Sequence, residues 1–283
     1  MSLIFAYLRR ATQRGANSLR RIIRSKGISS GGLDIYPGSD FSRTTSDQIQ
    51  ACDQSLFPIS SQIGPSDKNS LLTVQNIVRR HAPGYVYIEV GSHLGGTLTP
   101  HLVDPLCKAV YSIDKRPLSQ LDERGTYFDY VDNSTQKMIE TLRTFLPHTC
   151  LAKLQTFDMD ASEVRRNHIS LHPDLAFIDG EHTNTAAFRD FLSIYKFCKK
   201  SSIIVFHDVA YVADAIVNVE SLLTFLKVRY GSYILADCVC VMLFNDYVDI
   251  AEKTISSIAL DKEDYLRRAK TYLWQEIARN NRL

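Results

Sequence analysis

Between residues 67 and 244 the chain alternates short apolar runs with longer amphipathic segments. Five of the runs are rich in branched and aromatic side chains, and they predict strands that are covered on both faces. They lie at residues 86–91, 109–114, 151–157, 175–179 and 203–207. Because helical patterns fill the intervals, the sequence predicts βαβ units in a doubly wound, mostly parallel α/β sheet. Two closely spaced runs at 233–236 and 238–244 predict an antiparallel pair at its edge, which makes seven strands.

The charge of the chain is unevenly distributed. Residues 1–33 hold seven basic side chains and no acidic one, although the formal net charge of the whole chain is only +2. The remaining residues carry 26 basic and 31 acidic side chains, a net charge of −5. A nucleic-acid-binding domain is normally basic, so nucleic acid is disfavoured as a partner. Residues 1–26 suit a basic amphipathic helix, which could lie on the domain, contact a membrane surface peripherally, or direct the chain to an organelle.

Changes in composition divide the chain into four segments. Residues 1–33 form the basic extension, 34–66 a linker or lid, 67–250 the main domain and 251–283 a helical tail. No apolar run approaches the ~18 residues that cross a bilayer. The six cysteines include no C-x-x-C pair, which favours a reducing compartment. We therefore expect a cytoplasmic protein, with a peripheral membrane or organellar location as the alternative that the N-terminal segment leaves open.

A glycine-containing loop follows the first predicted strand. Gly91 and Gly95 lie between this strand and a helical pattern, where glycines let the backbone approach a ligand closely. Asp114 ends the next strand and could accept the ribose hydroxyls of a nucleoside cofactor. Because His93 replaces the second glycine of G-x-G-x-x-G, a nicotinamide or flavin oxidoreductase is disfavoured. Glu89 instead favours S-adenosylmethionine, whose ammonium group needs a negative partner.

Polar residues also follow the fourth and fifth of these strands. They are Asp179, Glu181, His182, His207 and Asp208, and neighbouring parallel strands would bring them to one sheet edge. Asp179 and Asp208 form an oxygen-ligand pair suited to Mg²⁺, whereas His207 shifts the preference toward Mn²⁺ or Zn²⁺. Without a metal, a histidine could take a proton from a hydroxyl directly, and Glu181 and His182 are equally good candidates for the base.

Several of these segments resemble motifs of class I S-adenosylmethionine-dependent methyltransferases. Residues 89–97 resemble motif I, in the small-molecule branch that includes macrocin O-methyltransferase-like and cephalosporin-hydroxylase-like proteins. Residues 110–114 resemble the motif whose acid binds ribose, and residues 156–162 resemble the turn beside adenine, where Asp160 aligns with the acid. Residues 178–182 and 205–208 resemble the fourth and fifth strand ends. The resemblance covers about residues 70–245 and implies a Rossmann-like sheet.

The resemblance implies methyl transfer to a hydroxyl of a small polar acceptor, such as a sugar or another polyhydroxylated metabolite. It assigns to the cofactor Glu89, Gly91, Ser92, Gly95, Thr97, Asp114, Asp160 and Asp179. It assigns Asp179, His207 and Asp208 to a divalent metal, Mg²⁺ or Mn²⁺, and Glu181, His182 and His207 to removal of the hydroxyl proton. The alternative is a non-catalytic protein of the same fold that docks a membrane or a partner through its basic N-terminus.

The segment between the second and third predicted strands carries an aromatic group. Tyr127, Phe128 and Tyr130 could line a substrate entrance, or they could pack together within a loop. No periodicity fixes their orientation, so the packed loop is the preferred interpretation.

Overall fold

The computed structural model describes residues 45–280. The basic helix predicted at residues 1–26 and the first part of the 34–66 segment lie outside the described residues. A helical segment at 45–50 and a 3₁₀ turn, Gln54–Leu56, precede the first long helix, α1 (Pro65–His81). Asp67 accepts the N–H of Gly64 at 3.0 Å, which closes the N-terminal turn of α1. Within the described part of the chain no helix combines the length and apolarity needed to cross a membrane.

A seven-stranded sheet forms the centre of the molecule, and two further strands form a separate hairpin. The strands are β1 (Tyr85–Val90), β2 (Cys107–Ile113), β3 (Ser119–Leu121), β4 (Tyr127–Asp129), β5 (Leu154–Phe157), β6 (Leu175–Ile178), β7 (Ile203–Phe206), β8 (Tyr230–Leu235) and β9 (Val239–Phe244). The spatial order in the sheet is β5-β2-β1-β6-β7-β9-β8. The first five of these strands are parallel, and β9 runs antiparallel to both β7 and β8. The predicted doubly wound sheet with an antiparallel edge is therefore confirmed.

Helices cover both faces of the sheet. They are α1, α2 (Thr99–Val103), α3 (Thr135–Phe145), α4 (His148–Leu151), α5 (Asn184–Tyr195), α6 (Ala213–Phe225), α7 (Asp246–Ser256) and α8 (Lys262–Asn280). Along β1, Val86 and Ile88 belong to the apolar cluster under α5, α6 and α8, whereas Tyr85 and Tyr87 belong to the cluster under α1, α2, α3 and α7. This alternation is the two-residue period of a strand buried on both sides.

Two elements differ from the sequence prediction. The strand predicted at 151–157 begins at Leu154, because a helical turn, α4, follows Pro147 and ends at Leu151. Helix α7 was not predicted, although Tyr247, Ala251 and Ile255 are buried at a spacing of four residues, which is the helical signature. Helix α4 spans only four residues, which is too short to show a helical period in the sequence.

The segment predicted to be a packed aromatic loop forms the β3–β4 hairpin. A buried ion pair between Asp122 and Arg124 holds its turn, and the Arg124 guanidinium lies 4.3 Å from the ring centre of Tyr211. The aromatic residues do not pack together, because Tyr127 is 72% exposed and Tyr130 turns toward the carboxyl edge of the sheet. There its ring meets that of His93 edge to face, with centroids 5.4 Å apart.

Candidate functional site

The carboxyl ends of β2, β1, β6 and β7 lie side by side, and the first three of them border one cleft. This arrangement follows from the parallel order of the four strands, which places the ligand site of an open α/β sheet at that edge. The cleft holds about 490 Å³ of space, part of it open to solvent. Among the predicted site residues, its walls include Gly91, Asp114, Asp160, Asp179 and Glu181.

Gly91 marks the point where the ends of β1 and β6 approach each other most closely. Its φ is +89°, and a Cβ built there would lie 2.0 Å from the carbonyl oxygen of Asp179. An L-residue with a side chain cannot occupy this position without moving one of the two strand ends. The glycine is therefore required by the fold of the cleft floor, in addition to any contact with a ligand.

Asp114 organises the loop above Gly91. One carboxylate oxygen accepts the N–H of His93 and the other accepts the N–H of Arg116, both at 2.8 Å. The Arg116 guanidinium lies 3.4 Å from the same carboxylate. Each carboxylate oxygen has a second lone-pair site, so Asp114 can still accept hydroxyl groups from a ligand in the cleft.

Glu89 lies inside the molecule, beneath the loop. Its side chain is fully buried, and its two oxygens accept the hydroxyl groups of Tyr87 at 2.5 Å and Thr97 at 2.6 Å. Burial raises the pKa of Glu89 to about 8, against the hydrogen bonds from Thr97 and Tyr87. Glu89 and Thr97 therefore stabilise the loop from beneath. Glu89 does not line the cleft, so it is not placed to bind the ammonium group as we expected.

Ser92 and Gly95 also lie within the loop. Ser92 is buried and accepts the hydroxyl of Ser112 at 2.8 Å. Gly95 has a φ of +83°, and a Cβ there would lie 3.1 Å from the Met138 side chain on α3. Both residues shape the turn that leads from β1 into α2.

Asp160 borders the opposite side of the cleft. It caps the 3₁₀ turn Ala161–Glu163, accepting the Ser162 N–H at 2.9 Å, and it pairs with Arg189 at 2.9 Å. Burial opposes ionisation, but the hydrogen bonds from Ser162 and the Arg189 charge together lower the pKa of Asp160.

A second acid on this side was missed by the sequence analysis. Asp190 lies on α5, lines the cleft and is 3% exposed, and burial raises its pKa to about 7. The sequence could have indicated this burial, because Asp190 lies four residues from both Ala186 and Ile194, on the apolar face of the predicted helix. A carboxyl group on such a face indicates a polar environment in the fold.

Asp179, which lines the cleft, lies in a group with His182 and Asp208. His182 Nε2 lies 3.2 Å from Asp208 Oδ2 and 3.7 Å from Asp179 Oδ1, and each of the three residues offers a ligand atom within 4.8 Å of the others. Asp208 adopts a φ of +52°, which turns its carboxylate back toward His182. His207 Nδ1 lies 3.1 Å from Asp179 Oδ1.

Charge complementarity holds this group together. Burial opposes every charge here, but the Asp208 and Asp179 carboxylates raise the pKa of His182, and His207 and His182 lower the pKa of Asp179. The two carboxylates that favour the protonated form of His182 could equally hold a divalent cation. Two carboxylates and one imidazole suit Mn²⁺ better than Mg²⁺, which prefers oxygen ligands.

Glu181 lies apart from this group. It pairs with Lys115 at 2.7 Å, and, although burial opposes ionisation, Lys115 lowers the pKa of Glu181. A carboxylate stabilised in this way is a weak base. The structure therefore separates the two residues that the sequence ranked equally, because only His182 lies against the paired carboxylates.

The strand order, the glycine loop and the acidic edge together define the class I methyltransferase fold. Residues 88–209 match a family model described as a methyltransferase domain. We found no curated protein with a significant sequence match. The part of the chain that is similar to this methyltransferase domain begins within β1 and ends just after β7.

Several solved methyltransferase structures align with the chain at low sequence identity. The O-methyltransferase NovP aligns with a TM-score of 0.51 and 11% identity, over 65% of this chain and 82% of NovP. The calicheamicin methyltransferase CalS11 aligns with a TM-score of 0.48 and 13% identity, over 78% of this chain and 100% of CalS11. The Podospora anserina methyltransferase PaMTH1, solved with S-adenosylhomocysteine bound, aligns with a TM-score of 0.46 and 11% identity, over 83% of this chain and 96% of that protein. These likenesses concern the fold alone.

Proposed function

We propose that the protein transfers a methyl group from S-adenosylmethionine to a hydroxyl of a small polar acceptor, such as a sugar or another polyhydroxylated metabolite, with the help of a divalent cation. One observation carries the proposal: Asp179 lines the same cleft as Gly91 and Asp114, and it also belongs to the group with His182 and Asp208. The description of NovP as an O-methyltransferase agrees with it.

The nucleoside side of the cleft is suited to S-adenosylmethionine. Asp114 would accept the ribose hydroxyls, because both of its oxygens are held in place by backbone N–H groups. Gly91 leaves room for the methionine part, and Asp160 borders the space for the base. Asp179 is a partly exposed carboxylate that lines the cleft next to Gly91, so it takes over from Glu89 as our candidate partner of the ammonium group. The cofactor supplies an electrophilic methyl group on its sulfonium.

The other side would hold the acceptor. Asp179, His182 and Asp208 would bind Mn²⁺ or Mg²⁺, which lowers the pKa of a coordinated hydroxyl. Without a metal, His182 is our candidate for the base, with both carboxylates stabilising the imidazolium that forms. His207 would hold Asp179 in position by donating its Nδ1–H. The remaining rate enhancement would come from alignment of the hydroxyl with the methyl group.

Binding and turnover measurements test the two sides separately. We expect Asp114→Ala to weaken S-adenosylmethionine binding in calorimetry by at least about tenfold, because it removes a charge-assisted acceptor. Asp208→Asn should keep normal cofactor binding and lose turnover by about a hundredfold or more. Asp249→Asn, a surface acid paired with Arg229, is the matched control and should change neither.

The acceptor can be sought by mass spectrometry, using isotopically labelled donor and a metabolite extract, with and without a chelator. Loss of label transfer on chelation, with recovery on adding Mn²⁺, supports a metal-assisted reaction. Normal cofactor binding by Asp114→Ala contradicts the pocket assignment, and full activity of Asp208→Asn removes that residue from the chemistry.

A further inference from the structure

A second group of ligand-type side chains lies next to the proposed catalytic group. It comprises Asp67 from the first turn of α1, His207 at the end of β7 and Cys238 in the turn between β8 and β9. We propose that these three residues form a separate site for a soft divalent cation of the Zn²⁺ class, which fastens α1 and the β8–β9 turn to the sheet. The proposal is independent of the cofactor and of the reaction.

The three side chains lie at the contact distances that a tetrahedral ion requires, with Asp67 facing His207 through Oδ2 and Cys238 through Oδ1. His207 Nε2 lies 3.4 Å from Asp67 Oδ2 and 3.4 Å from Cys238 Sγ, and Cys238 Sγ lies 3.8 Å from Asp67 Oδ1. A tetrahedral Zn²⁺ with bonds of about 2.0–2.3 Å requires ligand atoms roughly 3.3–3.8 Å apart. The fourth position could be filled by a water molecule or by Asp208 Oδ1, which lies 3.8 Å from Cys238 Sγ.

The surroundings of the ligands orient them for this role. His207 Nδ1 lies 3.1 Å from Asp179 Oδ1, so a neutral ring donates its Nδ1–H to Asp179 and directs the Nε2 lone pair at the cluster. A carboxylate behind a metal-bound histidine is the usual supporting arrangement in zinc sites. Asp67 is oriented in turn by the Gly64 N–H at 3.0 Å.

Burial favours a closed structural site over a solvent-exposed one. The side chains of Asp67 and His207 are only 4% and 5% exposed. Burial raises the pKa of the Cys238 thiol to about 12, so the thiol is neutral in the metal-free chain. Binding of the cation would release the thiol proton to solvent and form the sulfur–metal bond, because a coordinating thiol is deprotonated. The competing arrangement is an imidazolium of His207 between Asp67 and Asp179, with a neutral thiol beside it.

Such an ion would also act on the neighbouring group. It would hold the His207 ring in one orientation and tautomer, and thereby hold Asp179 at the end of the cleft. Asp67 and Cys238 are 171 positions apart in the chain, so a metal link between them would restrain α1 and the β8–β9 turn against each other.

Cobalt substitution tests the proposal, because Co²⁺ bound to a thiolate gives a charge-transfer band in the near ultraviolet. We expect one equivalent of Co²⁺ to produce this band in the full-length protein and Zn²⁺ to displace it. Cys238→Ser should abolish the band, and Asp67→Asn should weaken Co²⁺ binding by more than about tenfold. Cys150→Ser, which removes a thiol outside the cluster, and His182→Gln, which removes a ligand of the neighbouring group, should leave the band unchanged.

Zinc X-ray absorption on the unmodified protein covers the case in which a variant does not fold. One sulfur at about 2.3 Å, with nitrogen or oxygen ligands at about 2.0 Å, is the expected first shell. A first shell of nitrogen and oxygen alone, a wild-type protein without the charge-transfer band, or a band that survives Cys238→Ser would each overturn the site. Failure of S-adenosylmethionine binding would leave these measurements unaffected.

Discussion

Glu89 lies in the segment that resembles motif I, but the structure buries it away from the cleft. The sequence places an acid at the end of β1, but that position of the strand faces inward, where Tyr87 and Thr97 donate to it. Because water is excluded, the carboxyl group favours its protonated form, and its pKa rises to about 8. At neutral pH it then supports the loop mainly as a neutral hydrogen-bonding group.

This burial predicts a pH-dependent stability that Glu89→Gln should remove. Between pH 4.5, the ordinary pKa of this group, and about 8, the folded chain holds a proton that the unfolded chain releases. The free energy of unfolding therefore falls as the pH rises across this range. Glutamine imitates the protonated acid, so the variant should match wild type near pH 5 and exceed it by on the order of a few kcal/mol at pH 9.

Urea denaturation at a series of pH values measures the difference. The exposed Glu140→Gln on α3 is the matched control and should follow the wild-type curve. A Glu89→Gln variant that loses stability with pH as steeply as wild type would show that Glu89 is ionised in the folded protein.

At the scale of elements, the cleft depends on how closely the ends of β1 and β6 approach each other. Gly91 allows this approach for two reasons, its positive φ and the absence of a Cβ. Gly84 has a similar positive φ, +84°, but a Cβ there would meet nothing within 4 Å. A comparison of the two glycines therefore distinguishes backbone strain from the steric conflict of a Cβ. The pair therefore serves as a matched experiment.

We expect Gly84→Ala to cost about 1 kcal/mol, which is the backbone strain alone. Gly91→Ala should cost several kcal/mol more or prevent folding, because the strand ends must separate. In a folded variant, S-adenosylmethionine binding should be lost, whereas Gly84→Ala should bind normally. Thermal unfolding and calorimetry provide the two measurements, and equal costs for the two variants would argue against the close approach as the reason for Gly91.

At the scale of the molecule, the C-terminal helix α8 joins parts that are distant in sequence. The Tyr265 hydroxyl donates to the carbonyl of Asp237 in the β8–β9 turn at 2.7 Å, and Asn280 donates to the carbonyl of Arg124 in the β3–β4 hairpin at 2.8 Å. The helix thus holds the turn that carries Cys238 and the hairpin that leads to Tyr130. The hairpin borders the cleft through Gln120, and the turn places Cys238 beside His207.

Tyr265→Phe should lower the free energy of unfolding by roughly 1–3 kcal/mol, because it leaves a buried carbonyl without its donor. Cofactor affinity should stay within about twofold, since the hydroxyl does not face the cleft. The matched control is Tyr233→Phe, which removes a hydroxyl bonded to Glu252 at the surface and should cost less than about 0.5 kcal/mol. Equal losses in urea denaturation would indicate that the Tyr265 hydrogen bond contributes no more than a surface contact.

The sequence alone determined the fold class and the chain positions of the cleft residues. Apolar strand runs, helical spacing and the glycine loop are local patterns, and alternation of strands with helices leaves few topologies. That is why Gly91, Asp114, Asp179 and Asp208 could be placed at one sheet edge before any coordinates. Helix α7 could have been predicted in the same way from Tyr247, Ala251 and Ile255.

The tertiary structure decided which side chains meet. Whether Glu89 faces the cleft or the interior, whether His182 or Glu181 joins the paired carboxylates, and whether His207 contacts Asp67 and Cys238 all depend on residues far away in the chain. Local periodicity carries no information about such neighbours, because they are brought together by strand order and by the packing of α1, α8 and the β8–β9 turn. The sequence therefore predicts where the polar residues occur along the chain, but the tertiary structure determines their hydrogen-bond partners and their protonation.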